Sequence, residues 1–133
     1  MRKYIGIDSG VNTGVAIWSG TERSFESIST HSILEAMEIV LKHRDEIKTV
    51  IVEDARQVQF KTSRAKAQGA GSVKRDCQIW EEFLKRNNIH AMFVRPRKQI
   101  TKMDASRFNV LTKWNKPTNQ HGRDAAMLVF GLK

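Results

Sequence analysis

Three carboxylates and one histidine in this 133-residue chain have the side-chain types needed for chemistry on a phosphodiester. Asp8 and Glu53 each end an apolar run, and Asp124 follows His121 by three residues. Three carboxylates in one site raise each other's pKa unless a cation neutralises them. Oxygen ligands suit Mg²⁺ or Mn²⁺, and two such ions can hold the attacking and leaving oxygens of a phosphodiester. These four residues therefore predict a two-metal nuclease site.

Each of these residues also has a structural interpretation. An acid before Ser9-Gly10 is a common turn former, and a histidine near a helix start often serves as a capping or surface residue. Glu53 is followed by Asp54, and strand alternation sends the two side chains to opposite faces. We therefore expect only one of these two acids to face the site. The functional interpretation depends on how the secondary-structure elements bring the four residues together.

The first half of the chain predicts three strands, a helix and a fourth strand. Short turns join the first three strands into an antiparallel meander, with strands at residues 3–8, 15–18 and 23–29. The turn at residues 9–14 contains two glycines and an asparagine that can adopt positive φ. Apolar spacings of three, four and seven residues predict a helix over residues 32–47, followed by a buried strand at residues 49–53.

The second half predicts a basic loop, a helix, a strand and two more helices. We expect the loop at residues 55–71, with Ser72 capping a helix whose apolar stripe buries Cys77. The remaining elements are a strand at residues 89–94, a helix at 101–112 that opens with a capping box, and a terminal helix at 124–132. A strand–helix–strand connection favours parallel pairing, so the fourth strand is expected beside the first. The fold class is therefore α/β, with a mixed sheet.

The charge distribution indicates a polyanionic partner. Residues 1–55 hold six Lys or Arg against nine Asp or Glu, whereas residues 56–133 hold seventeen against five. Six bases and no acid lie between Arg56 and Arg75, and seven bases with one acid lie between Arg95 and Lys116. Basic segments of this kind suit phosphate backbones. Four of these bases flank the predicted loop and could contact phosphates: Arg64, Lys66, Lys74 and Arg75.

Composition excludes other classes of protein. The single cysteine excludes an internal disulfide framework and favours a reducing cytoplasm. No apolar run reaches the ~18 residues of a membrane span, so we expect no membrane partner. Asp8 comes too early for a secretory signal peptide.

Several motifs, taken in order, resemble RuvC-type Holliday junction resolvases of the RNase H-like superfamily. The resemblance covers nearly the whole chain and suggests a phage-encoded or otherwise divergent member. It implies one nuclease domain over residues 1–133, with a mixed five-stranded sheet (an antiparallel meander plus parallel strands) flanked by helices. The matching segments are Ile5-Gly6-Ile7-Asp8-Ser9-Gly10-Val11-Asn12-Thr13-Gly14, Ile51-Val52-Glu53, Phe60 to Gly71 with the helix from Ser72, Arg95-Pro96, and His121-Gly122-Arg123-Asp124-Ala125-Ala126.

The resemblance also implies roles for individual residues. Asp8, Glu53 and Asp124 match metal-binding carboxylates, and His121 matches a fourth position that binds a metal or positions the nucleophilic water. Phe60 matches an aromatic that wedges into the junction, with Lys61 beside it. Members of the family nick branched DNA as homodimers by water attack, leaving a 5′-phosphate and a 3′-hydroxyl. The expected setting is the cytoplasm of a bacterium or a phage-infected bacterial cell.

Two other kinds of function are compatible with the sequence. A broader branched-DNA nuclease or an RNase H-type hybrid nuclease would use the same metal site, so only substrate preference separates these enzymes from a junction resolvase. A non-catalytic nucleic-acid-binding module is the third possibility. The presence of all four candidate site residues argues against that module.

Overall fold

The structure, a computed structural model, describes residues 2–57, 64–96 and 103–133, with backbone only at residues 64–70 and 73. Five strands are present in this part of the chain: β1 Lys3–Asp8, β2 Thr13–Ser19, β3 Ser24–His31, β4 Ile47–Glu53 and β5 Ala91–Val94. Four α-helices accompany them: α1 Ile33–Lys42, α2 Arg64–Arg86, α3 Ala105–Thr112 and α4 Gln120–Val129. Short 3-10 helices lie at Arg44–Glu46 and Ala55–Gln57. None of the described helices is long and apolar enough to cross a membrane.

The five strands form one mixed sheet in the order β3-β2-β1-β4-β5. Strands β1, β2 and β3 pair antiparallel, which confirms the predicted meander. Strand β4 pairs parallel with both β1 and β5, which confirms the expected position of the fourth strand beside the first. The carboxyl ends of β1 and β4 therefore lie together at one edge of the sheet.

Side-chain alternation along the strands builds a separate core on each face of the sheet. On one face, Ile7 and Val52 pack with Trp80 and Leu84 of α2 and with Val40 of α1. On the other face, the core contains Tyr4, Ala16 and Trp18 together with residues of α3 and α4. Cys77 is fully buried, as its place on the apolar stripe predicted. Each large apolar side chain in these cores contributes roughly 1.5–3 kcal/mol through burial.

Two glycines allow α4 to lie directly on the backbone of the sheet. A Cβ atom at Gly6 would stand 2.1 Å from the carbonyl oxygen of Ala125, and one at Gly14 would stand 2.0 Å from that of His121. The predicted role of Gly14 in a positive-φ turn is wrong, because Gly14 lies inside β2. Among the described residues Gly131 is the glycine with positive φ, so neither Gly10 nor Gly14 uses that freedom, and Asn12 does not either.

The boundaries of several helices differ from prediction because of their caps and their alanine content. Helix α2 begins at Arg64 rather than Ser72, so the predicted loop is wrong over residues 64–71. That stretch contains three alanines, whose helix propensity outweighs the two glycines that suggested a loop. Helix α1 ends at Lys42, and a 3-10 helix replaces its predicted last turn.

The last two helices begin at asparagine or aspartate caps. Asp104 itself is the N-cap of α3 and accepts the backbone N–H of Arg107, so α3 begins later than the predicted start at residue 101. Thr101 and Lys102 of the predicted capping box lie outside the described residues. Helix α4 begins four residues before its predicted start, because Asn119 accepts the backbone N–H of Gly122 through its side-chain oxygen. His121 therefore lies in the first turn of α4.

Candidate active site

Asp8 and Glu53 end two adjacent parallel strands in matching register. Ile7 pairs with Val52, so the next residue on each strand lies beside the other. Ile7 and Val52 are fully buried in the core under α1 and α2. Alternation therefore directs Asp8 and Glu53 to the opposite face, which α4 covers. The structure brings these two predicted site residues to the same edge and the same face of the sheet.

His121 reaches this edge from the first turn of α4. Its Nδ1 atom lies 3.2 Å from Oδ2 of Asp8, and its side chain is 51% exposed while that of Asp8 is 17% exposed. An ionised carboxylate can only accept a hydrogen bond, so Nδ1–H of the imidazole is the donor. In the neutral imidazole with its proton on Nδ1, Nε2 is the nitrogen that can accept a proton.

Asp124 lies three residues after His121 on the same helix, and Gln120 holds it. Oδ1 of Asp124 accepts the Nε2–H of Gln120 at 2.7 Å. Gln120 in turn accepts a longer hydrogen bond, 3.4 Å, from Nη2 of Arg123. The guanidinium of Arg123 also donates to the carbonyl oxygens of Met103 and Thr118, at 2.9 Å and 2.8 Å. Arg123 therefore ties the start of α4 to the segment before it.

A contact between β3 and α4 fixes the helix start that carries His121. The hydroxyl of Thr30 donates to Oδ1 of Asn119 at 2.7 Å, and the same oxygen caps α4. Sequence reasoning missed both residues. An asparagine two positions before a candidate site histidine is itself an N-cap signal and would have placed the helix start correctly.

Asp54 lies on the other face of the sheet from Glu53, as strand alternation predicted. Asp54 is 4% exposed. It forms a two-point ion pair with Arg56, whose Nε and Nη2 atoms lie 2.8 Å and 3.0 Å from the two carboxylate oxygens. Burial acts to raise the pKa of Asp54, but hydrogen bonds from Arg56 and Gln57 outweigh it and the pKa falls below its ordinary value. Of the two adjacent acids, Glu53 is therefore the one on the α4 face.

The candidate DNA-binding residues are described to different extents. Phe60 and Lys61 lie outside the described residues. The backbone of Arg64 and Lys66 belongs to the first turn of α2, and Lys74 and Arg75 lie further along this helix. The side chain of Arg75 is 69% exposed. One helix therefore carries four of the predicted phosphate contacts.

The four candidate residues offer the oxygen and nitrogen donors that a divalent cation binds. Within residues 2–57, 64–96 and 103–133, no three His, Cys, Asp or Glu side chains form a ready-made metal site. Oδ2 of Asp8 accepts a hydrogen bond from His121, and Oδ1 of Asp124 accepts one from Gln120. Each hydrogen bond engages a single carboxylate oxygen. The donor types fit the predicted cation.

The comparisons with known proteins identify the fold. No protein-family model matches the sequence, and no curated protein sequence matches it. Among solved structures, the chain is similar to Thermus thermophilus RuvC in complex with a Holliday junction substrate, with a TM-score of 0.69 and 12% identity over 98% of this chain and 92% of that one. It is also similar to a second Thermus thermophilus RuvC structure, with a TM-score of 0.59 and 13% identity over 97% and 92% of the two chains. The chain therefore has the RuvC fold, an RNase H-like mixed five-stranded sheet flanked by helices.

Proposed function

We propose that this protein is a metal-dependent endonuclease that resolves four-way DNA junctions by paired nicking. The observation that carries the proposal is the contact between His121 on α4 and Asp8 at the end of β1, beside the end of β4 that carries Glu53. Asp124 follows His121 by three residues on the same helix. The same fold is seen in a RuvC protein in complex with a Holliday junction substrate, which supports branched DNA as the substrate class.

Asp8, Glu53 and Asp124 are the residues that would hold Mg²⁺ or Mn²⁺. Bound there, the cations would neutralise the three carboxylates and stabilise negative charge on the phosphodiester oxygens during hydrolysis. Gln120 orients the carboxylate of Asp124 through the 2.7 Å hydrogen bond. The register of β1 and β4 fixes the separation of Asp8 and Glu53.

His121 is the residue that would accept a proton from the attacking water. The hydrogen bond to Asp8 holds Nδ1, which leaves Nε2 to take that proton as the water oxygen bonds to phosphorus. The bond between phosphorus and the 3′ oxygen breaks, and the 3′ oxygen takes a proton from solvent. The products are a 5′-phosphate and a 3′-hydroxyl.

Helix α2 would position the DNA and a second copy of the chain would supply the second nick. Phe60, Lys61, Arg64, Lys66, Lys74 and Arg75 are the proposed DNA contacts. Each phosphate contact that is removed should lower the salt slope of binding by about 0.9. A homodimer would present one site to each of two symmetric strands, and its solution mass would be about twice the 15.2 kDa of one chain.

The test is a cleavage assay on matched substrates with Mg²⁺ or Mn²⁺. The substrates are a four-way junction, a three-way fork, a linear duplex and an RNA–DNA hybrid, each with wild-type protein and Asp8→Asn. Symmetric paired nicks in the junction that are absent in the variant are the expected result. Equal cutting of forks would indicate a broader branched-DNA nuclease, and cutting of the hybrid alone would indicate an RNase H-type enzyme. Tight binding with no cutting of any substrate would indicate a non-catalytic module.

A further inference from the structure

A network of polar contacts surrounds the residues that immediately follow Glu53. Arg56 makes a two-point contact with Asp54 and also donates from Nη1 to Oε1 of Glu81 on α2 at 3.0 Å. Its guanidinium lies 5.3 Å from the centre of the Phe93 ring on β5. Arg56 therefore connects the end of β4 to β5 and to α2.

Backbone contacts add to this network. The N–H of Asp54 donates to the carbonyl oxygen of Val94 at 2.8 Å, and the Nε2–H of Gln57 donates to that of Phe93 at 2.9 Å. The thiol of Cys77 on α2 lies 3.6 Å from the carbonyl oxygen of Glu53 itself. The backbone that follows the Glu53 side chain is thereby held against β5 and α2.

We propose that Arg56 and Asp54 are positioning residues for the metal site, because they hold the end of β4 and so set the place of the Glu53 carboxylate. This inference rests on the proposed function, in which Glu53 is a metal ligand. Groups that orient a metal ligand commonly change metal affinity 10–100-fold when they are removed. Arg56 also pairs with Glu81 on α2. The network therefore links the strand that carries Glu53 to the helix that carries the proposed phosphate contacts.

The charge of Arg56 distinguishes this role from a DNA contact. Arg56 belongs by sequence to the basic stretch that predicts phosphate binding. In the structure its side chain is 27% exposed and it faces the carboxylates of Asp54 and Glu81. Arg75 on the same stretch is 69% exposed. Arg56 should therefore contribute little to the salt dependence of DNA binding, whereas Arg75 should contribute one phosphate contact.

The test measures metal and DNA binding separately in folded protein. Arg56→Met alone leaves the buried carboxylate of Asp54 without its charged partner. The double variant Arg56→Met with Asp54→Asn removes both charges and is measured beside the single variant. Calorimetry with Mn²⁺ measures metal affinity without DNA. Junction binding at several salt concentrations, with Ca²⁺ in place of Mn²⁺, gives the salt slope. Far-ultraviolet circular dichroism confirms that each variant is folded.

We expect the folded double variant to bind Mn²⁺ about 10-fold more weakly than the wild type, with an unchanged salt slope. Arg86→Met is the matched control. Arg86 pairs with Glu82 on α2, and its side chain is 77% exposed. This substitution should change neither the Mn²⁺ affinity nor the salt slope. Arg75→Met should lower the salt slope by about 0.9 and leave Mn²⁺ affinity unchanged. Wild-type Mn²⁺ affinity in the double variant, or a salt slope lowered by about 0.9, would overturn the positioning role. Equal Mn²⁺ affinity in Asp8→Asn and the wild type would instead overturn the proposed function.

Discussion

Nδ1 of His121 lies 3.2 Å from Oδ2 of Asp8, although 113 residues separate the two along the chain. The contact exists because α4 packs directly on the backbone of β1 and β2 at Gly6 and Gly14. Side chains at either glycine would push the helix outward and separate the pair. The architecture of the site is therefore determined by backbone packing as well as by its acidic residues.

Replacement of Asp8 by asparagine should abolish cleavage while junction binding survives. Asparagine has nearly the same shape but carries no negative charge, so the site loses a cation ligand without losing its packing. We expect a loss of at least about 10³-fold in the single-turnover rate, because metal-assisted chemistry depends on the full ligand set. Asp45→Asn is the control, since Asp45 is exposed on the 3-10 helix before β4. Cleavage by Asp8→Asn at the wild-type rate would show that the assigned site is wrong.

Replacement of His121 by alanine should slow cleavage roughly 10²–10⁴-fold, the range expected when a general base is lost. Half of the side chain is exposed, so the loss of packing is small and the melting temperature should change little. His121→Asp should restore most of the rate, because a carboxylate can also accept a proton or bind a cation. Single-turnover cleavage of a four-way junction measures both variants. If the alanine variant retains the full rate, His121 has no role in proton transfer.

Gly14→Ala should destabilise the fold by about 3 kcal/mol, the upper part of the range for overpacking. The added Cβ would lie 2.0 Å from the carbonyl oxygen of His121, a backbone atom that moves only if α4 moves. Gly71→Ala is the control, because a Cβ there meets nothing within 4 Å, and we expect it to stabilise α2 by about 0.5–1 kcal/mol. Urea unfolding measures both. Equal stability of Gly14→Ala and the wild type would mean that α4 does not rest on β2 as described.

Asp54→Asn should destabilise the protein by roughly 2–3 kcal/mol at neutral pH, because it breaks a buried ion pair with a partly exposed partner. The pKa of Asp54 is lowered in the folded state: burial acts to raise it, but the hydrogen bonds from Arg56 and Gln57 dominate. Because the pKa is lower in the folded state, the ionised carboxylate stabilises the fold at pH values above the unfolded-state pKa of about 3.9. This contribution disappears as the pH falls through the folded-state pKa. The difference in unfolding free energy between wild type and variant should therefore be constant from about pH 5 to 7 and shrink below about pH 4. A difference that persists unchanged into acid would contradict the ion-pair explanation.

Much of the fold could be predicted from the sequence because it depends on local periodicity. The period-two strands, the 3.6-residue helical stripe before β4 and the burial of Cys77 all follow from side-chain spacing. The pairing of β4 with β1 followed from the length of the crossover connection. Alternation also indicated that Glu53 and Asp54 would lie on opposite faces, and in the structure Glu53 is the one on the α4 face.

The tertiary structure decided what depends on contacts between distant segments. The side chain of Asn119 caps α4, and the hydroxyl of Thr30 on β3 donates to the same capping oxygen. The position of His121 in the first turn of α4 therefore depends on a contact with a neighbouring strand. Gly14 suggested a turn, yet it serves the approach of α4, because a missing Cβ is useful only when another backbone lies against it. Arg56 opens the basic stretch that indicates a polyanionic partner, yet it pairs with Asp54 and Glu81, since composition records a charge and only packing shows what neutralises it.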